Sequence, residues 1–229
     1  MLRRLVFWIG GIAFSATTGV VSSSVAVRMI RDRAPQPPVV SAHLPDGGIS
    51  EGPDSAQVMV VEFGSMTCTY CKRFAREVLP SLKRAYVQTK RLQYRYVDVD
   101  ETEAGRTLAA LVKCRSKRVG ISEARDEVFA LAATSRAALI ARSIDGVRGS
   151  EEGVLSTCME ENLSTLLGAQ ERSAGQLIGV RGTPSFLVGV RSGERVVGWL
   201  LSGFQSKIQL DPYIRRAEGL AADFGTSTG

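Results

Sequence analysis

Cys68 and Cys71 form a C-x-x-C at the junction of two different hydrophobic periods, and this placement constrains the fold more than any other feature of the chain. Before it, Val58-Met59-Val60-Val61-Glu62-Phe63 is a short, β-branched apolar run, the pattern of a buried strand. Gly64 and Ser65 end that run. After it, Phe74, Val78, Leu82 and Ala85 recur at helical spacing from Lys72 to about Gln88, with Pro80 as an expected kink. A cysteine between such a strand and such a helix stands at a helix N-terminus. There the unpaired N–H groups and the helix dipole stabilise a thiolate, and Lys72 and Arg73 are expected to add positive charge. Cys71 follows one turn later on the same face. The spacing supplies an attacking and a resolving thiol. The other chemistry of a C-x-x-C is half of a zinc site, which needs two more ligands. His43 is the one histidine, and Cys114 and Cys158 stand far apart in the sequence, so no metal is expected.

Around this junction the chain reads as strand, helix, strand, helical block, hairpin, helix. Leu92 to Val99 alternates as a second strand. A strand–helix–strand unit predicts a parallel pair with a helical crossover. From about 103 to 172 the period is helical, with apolar faces at Leu108, Leu111 and Val112, at Val128, Phe129 and Leu131, and at Leu155, Met159, Leu163 and Leu166. Ser185 to Val190 and Arg195 to Gly198 read as strands around a turn at Arg191-Ser192-Gly193-Glu194, and Ser206 to Ala222 as a last helix. Pro184 stands at the entrance of the first of these strands, where proline is tolerated and where cis bonds occur. The prolines and glycines of 34–55 predict a linker, and 223–229 a disordered tail.

The first 33 residues carry a different signal. Arg3 and Arg4 precede an uncharged stretch from Leu5 to Val27, which ends at Arg28. A basic start followed by an apolar run is the pattern of an export signal, and this run is also long enough to be a membrane anchor. Either outcome predicts that the rest of the chain works outside the cytoplasm, where four cysteines suit the oxidising conditions. The formal net charge of +6 is concentrated in this segment. The near-neutral remainder does not point to nucleic acid.

The segment from Phe63 through Cys68-Thr69-Tyr70-Cys71 to Phe74, with Val78-Leu79-Pro80 behind it, resembles the active-site segment of the DsbA-like thioredoxin-fold oxidoreductases. Gly182-Thr183-Pro184 resembles their cis-proline loop, and the helical block resembles their inserted helical domain. The similarity runs over 56–222. It implies an α/β thioredoxin fold with an inserted helical subdomain, and a disulfide exchanger of the periplasm or the outer face of the inner membrane. Its partners would be exported cysteine-containing proteins and a membrane redox protein, and it would need no cofactor. The same resemblance implies that Cys68 is the exposed nucleophile and Cys71 the buried resolving thiol. Thr183, cis Pro184 and Tyr70 would bind the substrate chain, and Glu62 would lie beneath the site, where a raised pKa serves to shuttle the Cys71 proton. It further implies a structural disulfide between Cys114 and Cys158, with two free thiols or an accessory redox pair as the alternatives. Thr69-Tyr70 departs from the Pro-His of the strongly oxidising relatives. Tyr70 and Thr183 resemble instead the DsbC and DsbG branch, so the direction of exchange stays open. A binding or holdase module with an unreactive C-x-x-C, and a soft-metal delivery module, are the competing classes.

Overall fold

A strand without polar alternation has to be covered on both faces, and this requirement places Val58–Phe63 at the middle of a sheet. The computed structural model describes residues 37–43, 48–100, 102–132, 157–162 and 179–226. Among them six strands form one mixed sheet: β1 (Val39–His43), β2 (Ile49–Glu51), β3 (Val58–Gly64), β4 (Leu92–Asp98), β5 (Ser185–Ser192) and β6 (Arg195–Ser202). The spatial order is β1-β6-β5-β3-β4-β2. β3 is buried at every position. It pairs in parallel with β4, as the crossover predicts, and antiparallel with β5.

The side-chain period of two divides β3 between two cores. Val58 and Val60 join the larger cluster, with Phe74, Leu79, Leu82, Tyr94, Phe186 and Leu210. Met59, Val61 and Phe63 join a smaller one with Val97, Leu187 and Leu200. Glu62 has the parity of Val58 and Val60, so it points into the larger core. Phe74 and Phe186 meet there at 4.5 Å between ring centroids, and this contact locks the first helix onto β5.

That helix is α1 (Thr69–Glu77), followed by α2 (Leu79–Leu82) and a π-helical turn over Lys83–Val87. It starts at Thr69 rather than at the Lys72 expected from periodicity. The break falls before Pro80, which has no N–H to continue the ladder and sits in the first turn of α2. Two longer helices leave the end of β4, α3 (Glu103–Val119) and α4 (Ile121–Ala132), joined at Gly120 with its left-handed φ of 83°. Residues 157–162 are also helical. These segments lie within the expected insertion of 103–172, whose remaining parts lie outside the described residues. α5 (Lys207–Thr226) closes the fold.

Two boundaries differ from the sequence expectation. Composition predicts a linker over 34–55, yet β1 and β2 lie inside it. Both are edge strands, made by pairing with β6 and β4 rather than by local pattern. A tail is expected from 223, yet α5 runs through Thr226, because Ala221-Ala222 favours continuing the helix. Residues 1–33, with the predicted signal or anchor, and 227–229 lie outside the described residues. Among the described residues no helix is long and apolar enough to cross a membrane.

Cys114 of α3 and Cys158 are joined by a disulfide, with S–S 2.09 Å and Cα–Cα 6.0 Å. The Asn162 amide donates to the Cys158 carbonyl oxygen at 2.7 Å beside it. Closing a loop over a sequence separation of 44 restricts the unfolded chain by about 4 kcal/mol. Replacing both cysteines by alanine is therefore expected to lower the unfolding free energy in urea by that amount, and the midpoint with it, while leaving Cys68 alkylation unchanged. An unshifted midpoint would show that the bridge adds nothing to stability.

Candidate active site

β3 ends at Gly64, and the chain turns through Ser65, Met66 and Thr67 into α1. The Cys68 N–H donates to the Ser65 carbonyl at 3.2 Å and closes that turn. Cys68 is the N-cap of α1, with extended backbone, and its Sγ accepts the Cys71 N–H at 3.3 Å. The sulfur therefore occupies the position a serine or aspartate oxygen takes in an ordinary cap, facing the positive end of the helix. Cys68 is partly exposed and Cys71 fully buried, and both are free thiols.

The two thiols are driven apart electrostatically. Cys68 is lowered from 9.0 to about 5. The hydrogen bond from the Cys71 thiol is the chief cause; partial burial opposes it, and hydrogen bonds from Thr183 and the N–H groups of Cys71 and Tyr70 assist. Cys71 is pushed far up, first by that same hydrogen bond, then by burial, then by the negative charge of Glu62. One cysteine is thus a thiolate at neutral pH while the other keeps its proton. The charged ends of Lys72 and Arg73, expected to add positive charge near the sulfur, are engaged with other groups. The Lys72 ammonium donates to the Phe129 carbonyl at 3.5 Å, and Arg73 pairs with Glu77 at 2.9 Å and lies over the Phe204 ring.

Thr183–Pro184 is a cis peptide bond, and the Thr183 carbonyl oxygen lies 3.4 Å from Cys68 Sγ. The Ser185 hydroxyl holds this loop by donating to the Gly182 carbonyl at 2.7 Å. Tyr70, between the two cysteines in the sequence, is 58% exposed. Sequence positions more than a hundred residues apart thus meet at one sulfur, because β5 pairs directly with β3.

Glu62 is wholly buried, and so is a partner that sequence reasoning missed, Arg125 of α4. The guanidinium grips the carboxylate with two nitrogens, Nη2 to Oε1 at 2.7 Å and Nη1 to Oε2 at 3.0 Å, and donates to the Tyr94 hydroxyl at 2.7 Å. Tyr94 in turn donates to Glu62, and the guanidinium lies 4.3 Å over the Tyr96 ring. A signal for Arg125 exists in the sequence. It falls in the apolar stripe of Ile121, Ala124, Val128 and Phe129, all buried on α4.

Asp98, at the end of β4, is a second missed group. The residue is partly exposed, yet its carboxyl is enclosed. Burial pushes it from 3.8 up to about 7, against hydrogen bonds from the Tyr96 hydroxyl at 2.7 Å and the Asp100 N–H at 2.9 Å. A carboxyl raised on folding holds its proton between the unfolded and folded values. The stability it contributes is complete below about pH 4 and is lost as pH rises through about 7, by at most on the order of 4 kcal/mol. Urea unfolding of the wild type should therefore weaken between about pH 4 and 8, and Asp98→Asn should flatten that dependence. Equal slopes in the two proteins would remove this role of Asp98.

The match of the chain to a protein of Bacillus cereus described as "probable disulfide bond formation protein D" is 31% identical over 88 residues, 38% of this chain and 40% of that protein. The matched stretch is thus less than two thirds of that relative's length. Among solved structures, α-DsbA1 of Wolbachia pipientis superposes with a TM-score of 0.65 at 19% identity, covering 79% of this chain and 95% of that one. BdbD of Bacillus subtilis superposes with a TM-score of 0.57 at 17% identity, covering 79% and 98%. At these identities the structures carry the fold, a thioredoxin sheet with helices inserted between β4 and β5. The family model described as thioredoxin matches residues 46–198, more than half of the chain, and so the chain belongs to the thioredoxin family.

Proposed function

We propose that this protein is a thiol–disulfide oxidoreductase that exchanges disulfides with cysteine-containing proteins through Cys68 and Cys71. The observation that carries this reading is the division of the pair into a lowered, accessible Cys68 and a raised, buried Cys71. In the oxidised chain a substrate thiolate attacks Cys68 Sγ, the Cys68–Cys71 bond breaks, and the electron pair leaves on Cys71. A second substrate thiolate then displaces Cys68 from the mixed disulfide. The substrate leaves with a disulfide and the protein with two thiols, so electrons balance without a cofactor. Cys71 takes up the proton its environment demands, the Glu62 charge favouring the protonated thiol.

A stabilised Cys68 thiolate favours the reduced protein, which supports disulfide donation as the working direction. Thr183, cis Pro184 and Tyr70 form the rim on which an extended substrate chain is held, with the Thr183 backbone offering strand-like hydrogen bonds. The basic and apolar pattern of 1–33 supports action at the outer face of a membrane, with a membrane redox protein restoring the disulfide.

The test is oxidative refolding of a reduced, multi-cysteine protein by stoichiometric oxidised chain. Each wild-type chain should deliver one disulfide, and Cys68→Ser none. Equal rates with wild type and Cys68→Ser would end the reading.

A further inference from the structure

The loop in front of Cys68 is held by a group outside it. Asp100 lies beyond β4, and its carboxylate accepts hydrogen bonds from Ser65, Thr67 and Thr102. Oδ2 takes the Ser65 hydroxyl at 2.7 Å and the Thr67 hydroxyl at 2.6 Å. Oδ1 takes the Thr102 N–H at 3.0 Å and the Thr102 hydroxyl at 2.7 Å. The two loop hydroxyls are themselves 2.8 Å apart, and the Thr67 N–H donates to Ser65 Oγ at 3.0 Å. On the other side, Thr102 is the N-cap of α3, its hydroxyl accepting the Gly105 N–H at 3.1 Å. Burial pushes the Asp100 carboxyl up, yet the hydrogen bonds from Thr102, Thr67 and Ser65 outweigh it and hold the group below its ordinary value. The fit is close enough to dictate a glycine: a Cβ at Gly105 would lie 2.1 Å from Asp100 Cγ.

We infer that Asp100 is a positioning residue for Cys68, clamping Ser65-Met66-Thr67 to the first turn of the inserted helix α3 so that the sulfur is held at the N-terminus of α1. Ser65 is the link to the nucleophile, since its carbonyl accepts the Cys68 N–H. The inserted helices then do more than cover the sheet: a shift at the start of α3 reaches Cys68 through one carboxylate. No asparagine replaces it, because one amide oxygen serves only one of the two donor pairs. This inference rests on the reading of Cys68 as a thiolate nucleophile.

The test titrates the Cys68 thiolate by its ultraviolet absorbance in Asp100→Asn, Thr67→Val and Gly105→Ala, with the Cys114–Cys158 bridge intact. Loosening the cap weakens the thiolate, so Asp100→Asn and Gly105→Ala should each raise the Cys68 value by about one unit, and Thr67→Val by about half of that. Removing a negative charge without moving the loop has the opposite sign, so a fall in Asp100→Asn overturns the clamp. Unchanged values in Thr67→Val and Gly105→Ala overturn it as well. Thr67 is exposed and its replacement conserves shape and charge, so this variant decides the matter if Asp100→Asn does not fold. A wild-type value near 9 would remove the nucleophile reading together with the clamp, whereas a wild-type value near 5 with unmoved variants removes the clamp alone.

Discussion

Cys71→Ser is expected to stop the exchange halfway and accumulate mixed disulfides between Cys68 and client proteins. Cys68 is the reachable sulfur, and Cys71, wholly buried, meets only what Cys68 has already bound. With no Cys68–Cys71 disulfide to donate, the variant forms adducts by attack of the Cys68 thiolate on a client disulfide, one client sulfur leaving as thiolate. A serine hydroxyl cannot resolve the adduct, so only a client or external thiol releases Cys68 and release slows. The pair also has an electrostatic role that alanine exposes. The Cys71 thiol hydrogen bond is the largest cause of the lowered Cys68 value, and such bonds to charged groups are worth about 1.5–3 kcal/mol. Cys71→Ala should therefore raise Cys68 by about one to two units. Non-reducing electrophoresis reads the first effect and a thiolate titration the second. Adducts that form equally in Cys68→Ser would show that the nucleophile lies elsewhere.

Arg125→Met should have the largest effect on stability. The Glu62–Arg125 pair is wholly buried, and Arg125 Nε has no hydrogen-bond partner among the described residues. Removing one partner of such a pair leaves an uncompensated charge and costs about 3–5 kcal/mol. Removing both charges leaves none. Glu62→Gln with Arg125→Met is therefore expected to recover most of the loss in urea unfolding, although each single change is severe. Two losses that simply add would mean that the residues act independently.

Features carried by local pattern were legible in the sequence. β3 is a β-branched run with one acid, and that interruption was itself the sign that Glu62 points into the core. The C-x-x-C at a strand–helix junction and the proline at the entrance of β5 are equally local. The pairing of Cys114 with Cys158 was implied by the family resemblance rather than by any property of those two positions. What escaped was set by contacts between distant segments. Val39–His43 has no strand signal of its own and becomes β1 because β6 offers an edge to it. Arg125 falls in an apolar stripe, but the carboxylate it meets, Glu62, comes from 63 positions away. Asp98 and Asp100 look like loop acids, yet one is enclosed beside Tyr96 and the other gathers donors from two separate segments.

Redox equilibration of the wild-type protein against glutathione tests the proposed exchange most directly. The expected result is a single two-electron transition between two thiols and a Cys68–Cys71 disulfide, with Cys114–Cys158 intact. Its potential should lie nearer the about −120 mV of strong disulfide donors than the about −270 mV of thioredoxin. A chain whose Cys68 and Cys71 stay alkylatable at every ratio of oxidised to reduced glutathione would contradict it.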